Sequence, residues 1–214
     1  KITALNFTVQ GYIGNGTPGS SLFMTYKTSL RQEKLKERDL ITLEDIELAE
    51  EKIISLFIQA IGSLNVNKVG LYISVGNEIP TKGIIQYLLK SLIQCYVPVI
   101  NPDLNLRKLR FAEFHSDSSL TKNKFNIFEP KNKIFVNYSE IDLVILPLVA
   151  FDDKGYRLGM GNGYYDSTFP IKEIKNCPLL WGLSYDFQKT ESCCPEDHDL
   201  IMNTVITPSG IQKF

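Results

Sequence analysis

Apolar residues fall on one face of a helix over residues 42–61: Ile46, Ala49, Ile53, Leu56, Phe57 and Ala60 recur at three- and four-residue steps before Gly62. Thr42, with Asp45 three residues on, supplies an N-terminal cap close to a capping box. Upstream, residues 26–38 are helix-prone but basic, and Lys27, Arg31, Lys34 and Arg38 follow the spacing of a single helical face. The pattern predicts a helix with a cationic stripe, with Lys34 and Lys36 left to solvent. Downstream the period changes. "NKVGLYISV" (67–75) reads as a strand, "GNEIP" as a turn, residues 81–94 as a helix and "CYVPVI" (95–100) as a second strand, together a parallel βαβ unit. "LRFAEF" (109–114) and "DLVILPLVAFD" (142–152) add strands, and the second is almost continuously apolar, as a central strand buried on both faces should be. "LLWGLSY" (179–185) and "TVITP" (204–208) complete the set. Strands and helices alternating in this way predict an α/β protein: a single three-layer α/β/α domain on a mostly parallel, Rossmann-like central sheet.

The domain is expected over residues 24–214. The glycine-rich opening, which includes "GNGTPGSS", reads as an appended or disordered segment over residues 1–23, with Met24 as the natural start. At 214 residues one core suffices, and a hydrophobic share of 43% suits a soluble globular chain. No run approaches the length of a membrane span. Lys and Arg (23) nearly balance Asp and Glu (24), so overall charge gives no argument for nucleic acid or a membrane surface, and any anion site must be local. Cys95, Cys177, Cys193 and Cys194 lack metal-type spacing and are expected as reduced, inert thiols in the cytoplasm.

The chemistry concentrates in "GYRLGMGNGYYDSTF" (155–169), where Gly159, Gly161 and Gly163 alternate between Arg157 and Asp166. Ligands of open α/β sheets collect beyond the carboxyl ends of the strands, and the segment from Asp152 to Gly163 follows the most apolar strand. Bare backbone N–H groups there can approach an anion, and a helix starting in "YYDSTF" would add its N-terminus. The spacing matches neither the dinucleotide fingerprint nor a P-loop. A strand-to-helix turn of this composition also serves tight packing, so the glycines alone leave both readings open.

"LVILPLVAFDDKGYRLGMGNGYYDSTF" resembles the signature of the 5-formyltetrahydrofolate cyclo-ligase (methenyltetrahydrofolate synthetase) family. It matches at Pro147, Ala150, Phe151, Asp152, Gly155, Arg157, Gly159, Gly161, Gly163, Tyr164, Tyr165 and Asp166. Other landmarks follow in order: Lys27 and Arg31; Tyr72, Ser74, Glu78, Ile79 and Thr81; Asn126, Ile127, Glu129 and Pro130; and the pair His198–Asp199. The resemblance implies ATP-dependent cyclisation of 5-formyltetrahydrofolate to 5,10-methenyltetrahydrofolate. The formyl oxygen takes the γ-phosphoryl group, the neighbouring nitrogen attacks the activated carbon, and ADP and phosphate leave.

The same resemblance implies roles. Arg157 and Lys27 are the expected catalytic cations, and Lys27, Arg31, Arg157, Gly159, Gly161, Asn162, Gly163 and Tyr164 the expected ATP site. Ile73, Glu78, Tyr164 and Tyr165 are expected to bind the folate, and Asp166 and Asn203 to hold Mg²⁺. Each has a plainer counterpart: a solvated basic face for Lys27 and Arg31, a helix-end carboxylate for Asp166, an exposed turn residue for Glu78. His198 is expected to be structural, since phosphorylating a carbonyl oxygen removes no proton from it. The chain departs from the family pattern at Met160 and Asn162, where a cation stands in some members, and at Asn203, which replaces a second aspartate. Those departures leave room for a catalytically weak folate- or nucleotide-binding homologue as an alternative. The expected partners are ATP and the folate, with no nucleic acid and no membrane, and the expected state is a monomer.

Overall fold

The computed structural model describes residues 19–100, 107–123, 127–169 and 177–214, with side chains from residue 26 onward. Asn126 and most of the 1–23 segment lie outside the described residues. Helix α1 (Gly19–Asp39) runs through Met24 and reaches into that opening segment. Helix α2 (Leu43–Ile61) begins where the sequence places it: the Thr42 side chain accepts the Asp45 N–H at 3.1 Å. A cap of this kind contributes about 1 kcal/mol.

The sheet starts with β1 (Lys68–Leu71), which crosses over through α3 (Lys82–Lys90) to a parallel partner, β2 (Gln94–Ile100). α3 is shorter than the apolar pattern suggested, because the chain leaves it through Leu92 at φ 59 to begin β2 at Gln94. Strands β3 (Leu109–Phe114) and β6 (Phe135–Val136) follow antiparallel on that edge, and β4 (Leu120–Lys122) and β5 (Phe128–Pro130) make a separate small ribbon.

The expected strand over 142–152 is two strands. β7 (Leu143–Leu146) stops at Pro147, which has no N–H to continue a ladder, and β8 (Ala150–Phe151) turns away to pair with β9 (Arg157–Leu158). Then come α4 (Tyr164–Thr168), β10 (Leu179–Leu183), β11 (Thr204–Thr207) and β12 (Gly210–Lys213).

The order across the main sheet is β12-β11-β10-β7-β1-β2-β3-β6, parallel from β11 to β2 and antiparallel at both edges. The chain builds outward from β1 to β2, then returns to the other side of β1 to lay down β7. Crevices form at such a reversal, beyond the carboxyl ends of the two strands.

Alternate residues of β7 feed two cores. Leu143 and Ile145 pack with Ile53, Phe57, Ile84 and Leu88 beneath α2 and α3, where Trp181 meets Phe57 edge-on at 5.9 Å. Val144 and Leu146 pack with Phe111, Phe169, Leu200 and Met202 on the other face. That third layer is thin: among the described residues it is α4 and the segments around it.

Candidate active site

The glycine segment lies beyond the carboxyl end of β7, held from below by a buried carboxylate. Asp152 accepts the N–H groups of Lys154 (3.0 Å) and Tyr156 (3.1 Å) on one oxygen and that of Cys193 (2.9 Å) on the other. Gly155 makes this turn at φ +83, with Phe214 and the Met202 carbonyl against it, so no side chain fits. Beyond β9 the glycines differ. Gly161 (φ +91) and Gly163 (φ +66) occupy the left-handed region, but a Cβ at Gly159 would meet nothing within 4 Å, and its φ lies outside that region. The fold itself does not require glycine at 159, and its bare backbone is open to close approach.

α1 lies across this segment, packed through Leu30 on Ala150, Leu158 and Cys193. The cationic stripe therefore meets the loop. Arg31 donates from Nε to the Gly159 carbonyl at 2.7 Å, and its guanidinium sits 3.5 Å from where a Cβ on Gly161 would be. Lys27 contacts Glu196 at 2.9 Å and Asp199 at 3.1 Å. Burial would lower its pKa, but these carboxylates outweigh that and leave it raised. Burial pulls Arg31 down, though a guanidinium stays charged.

Lys34, expected in solvent, is buried, because its stem shares the α1 face that carries Leu30 and Arg31; its amine reaches Glu37 at 3.0 Å. Lys36 is exposed, as expected.

Arg157 is buried and pairs with Asp166 at 3.1 Å, while its Nε has no partner. Asp166 also accepts the Leu200 N–H at 3.2 Å. The expected phosphate-binding cation and the expected metal carboxylate are thus bound to each other. Asn203 is committed to the backbone: its Oδ1 accepts the Leu180 N–H at 2.7 Å, at the amino ends of β10 and β11, and it lines a cleft shared with Asp199 and Leu200. Among the described residues no three His, Cys, Asp or Glu side chains gather as a metal site.

Tyr165 stacks on Phe169 and Tyr164 packs into the same core, with Asn162 exposed between the glycines. α4 is a single turn, so the anion-binding capacity rests on loop N–H groups and side-chain cations rather than on a helix dipole.

Across the crevice, Ile73 is half-buried just beyond β1, and Glu78 follows it, accepting the Val75 N–H at 3.0 Å. Burial holds the Glu78 carboxyl above its ordinary pKa. Tyr165 is pushed up by burial and then by the Glu78 charge, which places the two in one neighbourhood.

Sequence reasoning assigned no site role to Arg38, Tyr185 or Gln188. Gln188, buried, accepts the Tyr185 N–H and donates to the Leu148 and Val149 carbonyls. Arg38 was visible as the last member of the basic stripe; nothing in the sequence marked Tyr185 or Gln188. His198 is exposed, beside Asp199 at 3.9 Å. The four cysteines are unbridged, and burial pushes the Cys95 and Cys193 thiols up to about 12, too high for thiolate chemistry. A cleft of about 590 Å³ runs beside the site, but its lining includes Glu196, Asp197 and Asp199, an acid wall unsuited to a triphosphate.

Known proteins share the family and the fold. The 5-formyltetrahydrofolate cyclo-ligase family model matches residues 24–208. The 5-formyltetrahydrofolate cyclo-ligase of Escherichia coli (strain K12) is 35% identical over 149 residues, covering 68% of this chain and 80% of that protein. The Haemophilus influenzae protein of the same name is 33% identical over 176 residues, covering 81% and 93%. Among solved structures, Aquifex aeolicus 5,10-methenyltetrahydrofolate synthetase superposes with a TM-score of 0.71 at 28% identity, covering 87% of this chain and 92% of that one. A Mycoplasma pneumoniae 5,10-methenyltetrahydrofolate synthetase, 21% identical with a TM-score of 0.69, shares the fold.

Proposed function

This chain belongs to the 5-formyltetrahydrofolate cyclo-ligase family, and on that premise we propose that it cyclises 5-formyltetrahydrofolate to 5,10-methenyltetrahydrofolate with ATP, at the crevice beyond β1 and β7. The observation that carries the site assignment is the docking of Arg31 on the Gly159 carbonyl beneath Gly161. It brings the α1 cations and the bare backbone of 159–163, more than a hundred residues apart in sequence, onto one surface suited to a triphosphate.

The formyl oxygen attacks the γ-phosphorus, and the bond to the β-phosphate oxygen breaks to release ADP. The N10 nitrogen then attacks the activated formyl carbon, loses its proton, and the carbon–oxygen bond breaks to release phosphate. Catalysis of the first step is a matter of placing cations and N–H donors where charge spreads over the phosphoryl oxygens. Arg157, Lys27 and Arg31 take that role, with Gly159, Gly161, Asn162, Gly163 and Tyr164 along the nucleotide. Ile73, Glu78, Tyr164 and Tyr165 face the folate. The Glu78 carboxylate suits the pterin N–H donors, and the neutral Tyr165 phenol an apolar ring.

Mg²⁺ binds with one or two carboxylates plus substrate phosphates. The residues fit such an ion only as one carried on the triphosphate, with Asp166 as its protein ligand once Arg157 turns to phosphate; when bound, it neutralises phosphate charge. The Asn203 oxygen is spent on Leu180. ATP, Mg²⁺, a monomeric state and a cytoplasmic setting belong to this reading; among the described residues no helix is long and apolar enough to cross a membrane.

ADP release measured with and without 5-formyltetrahydrofolate tests it. Folate-dependent ADP release with matching methenyl product is expected. Binding of both ligands without turnover would instead indicate a homologue that has lost catalysis.

A further inference from the structure

Of the cations on the α1 stripe and in the glycine segment, one has no hydrogen bond from its side chain among the described residues. Lys27 holds Glu196 and Asp199, Arg31 the Gly159 carbonyl, Lys34 holds Glu37, and Arg157 holds Asp166. Arg38 does not. Its side chain is 11% exposed, its Nε is sealed from solvent without a partner, and its nearest counter-charge, Glu78, stands at 3.9 Å, beyond hydrogen-bond reach. A second orphan lies in the same neighbourhood: the Tyr185 hydroxyl is buried with no partner, its ring stacked on Phe187 at 5.4 Å. Arg38 and Glu78 both act electrostatically on Tyr72 and on Tyr185, so these groups share the crevice at the carboxyl ends of β1 and β10.

A guanidinium whose Nε is sealed from water without an acceptor is costly, and that cost is relieved when a ligand brings one. The arrangement is also directional. A carboxylate beside a guanidinium offers an acceptor next to a fork of donors, the complement of a cyclic amide edge that presents N–H groups next to a carbonyl.

We propose that Arg38 is a specificity-determining residue that donates to the 4-oxo group of the reduced pterin while Glu78 accepts from its ring N–H and 2-amino groups. This rests on the folate reading of the crevice given above. Arg38 would then select 4-oxo over 4-amino pteridines, because an amino group at position 4 turns donors against donors. The placement suits the chemistry. Arg31 and Arg38 are two turns apart on one helix, about 10 Å along its axis, so the helix that meets the triphosphate also meets the ring bearing the formyl group. The Asn77 side chain, donating to the Arg38 carbonyl at 3.1 Å, ties the end of this helix to the turn that carries Glu78.

The test is equilibrium binding of 5-formyltetrahydrofolate and of its 4-amino-4-deoxy counterpart to the parent, Arg38→Lys and Arg38→Ala. Binding of an ATP analogue and melting temperature serve as fold controls. The parent should prefer the 4-oxo ligand. Arg38→Ala should weaken that ligand on the order of ten- to a hundredfold, as expected for loss of a charged hydrogen bond, and leave the 4-amino ligand within about threefold, so that the preference collapses. Arg38→Lys, which keeps the charge and stem but not the fork, should fall between them and carries the test if the alanine variant does not fold. Equal losses for both ligands would make Arg38 a mere support of the pocket and overturn the proposal, as would no loss. A parent that fails to bind 5-formyltetrahydrofolate at all would instead overturn the functional reading on which it rests.

Discussion

Gly159→Ala adds one methyl group where the folded chain has room for it and where a nucleotide, if placed as proposed, does not. The added Cβ would meet no atom within 4 Å, and φ at 159 is outside the left-handed region. Folding should therefore gain from the stiffer unfolded chain, about 0.4–1 kcal/mol, a rise in Tm of roughly 1–4 °C for a protein of this size. A phosphate lying against the 159–163 backbone would meet the methyl and lose a charge-assisted N–H contact, about 1.5–3 kcal/mol, or roughly ten- to 150-fold in ATP affinity. Gly161→Ala is the control with the opposite folding sign: at φ +91 a side chain is strained by roughly 1–2 kcal/mol, so Tm should fall. Melting without ligand and ADP release titrated with ATP, on the same preparations, give both numbers. A Gly159→Ala protein with raised Tm and unchanged ATP dependence would show that no phosphate approaches this backbone. A lowered Tm would show that the space is not free.

Arg157→Ala should lower turnover at saturating ATP on the order of a hundredfold while folate binding changes little; an unchanged turnover number with only a raised ATP requirement would move Arg157 to ground-state binding. Asn203→Asp should leave the Mg²⁺ titration of activity where it was, because the side-chain oxygen at position 203 is committed to the Leu180 N–H; a shift to lower Mg²⁺ would return that residue to the metal. Glu78→Gln should weaken folate binding yet raise Tm at neutral pH. Burial raises the folded pKa of Glu78, so the parent bears the cost of a buried charge above that pKa and none below the unfolded value. The gain should vanish as pH falls through both, and a gain that persists in acid would refute the cause.

Elements with a strong period were legible: α2 and its Thr42 cap, the β1–α3–β2 crossover, and the apolar run that became β7. The failures share a cause. Residues 142–152 read as one strand because apolar content says nothing of ladder donors, and Pro147 ends β7 by lacking one. β12 and the β8–β9 pair close as local hairpins, Thr207 with Gly210 and Ala150 with Leu158, from strands of two to four residues, too short to display an alternating period. For the site, the sequence supplied residue types but not their present partners. Spacing sets Arg157 and Asp166 nine residues apart, on β9 and α4, and cannot show that they close an ion pair. Lys34 likewise looked like one more solvated charge, since burial of a lysine stem depends on what α1 packs against.

Those partners bear on how the site works. Lys27, Arg31 and Arg157 are the cations proposed for the triphosphate, yet each is occupied: two by carboxylates, one by a carbonyl. Unneutralised, three cations on one surface would repel one another and destabilise the ligand-free fold. A triphosphate must compete with Glu196, Asp199 and Asp166 for them, and a divalent cation eases that competition by giving a displaced carboxylate a new partner. On this view Asp166 serves two states, holding Arg157 without nucleotide and the metal with it, so Asp166→Asn should harm both. It should lower the melting temperature of the ligand-free protein, since a buried guanidinium loses its counter-charge, and raise the Mg²⁺ concentration needed for half-maximal activity. Melting scans without ligand and Mg²⁺ titrations at fixed ATP separate the two losses. A variant that keeps its melting temperature but needs more Mg²⁺ would leave Asp166 as a metal ligand alone, and one that melts early with an unchanged Mg²⁺ requirement would leave it as a partner for Arg157 and nothing more.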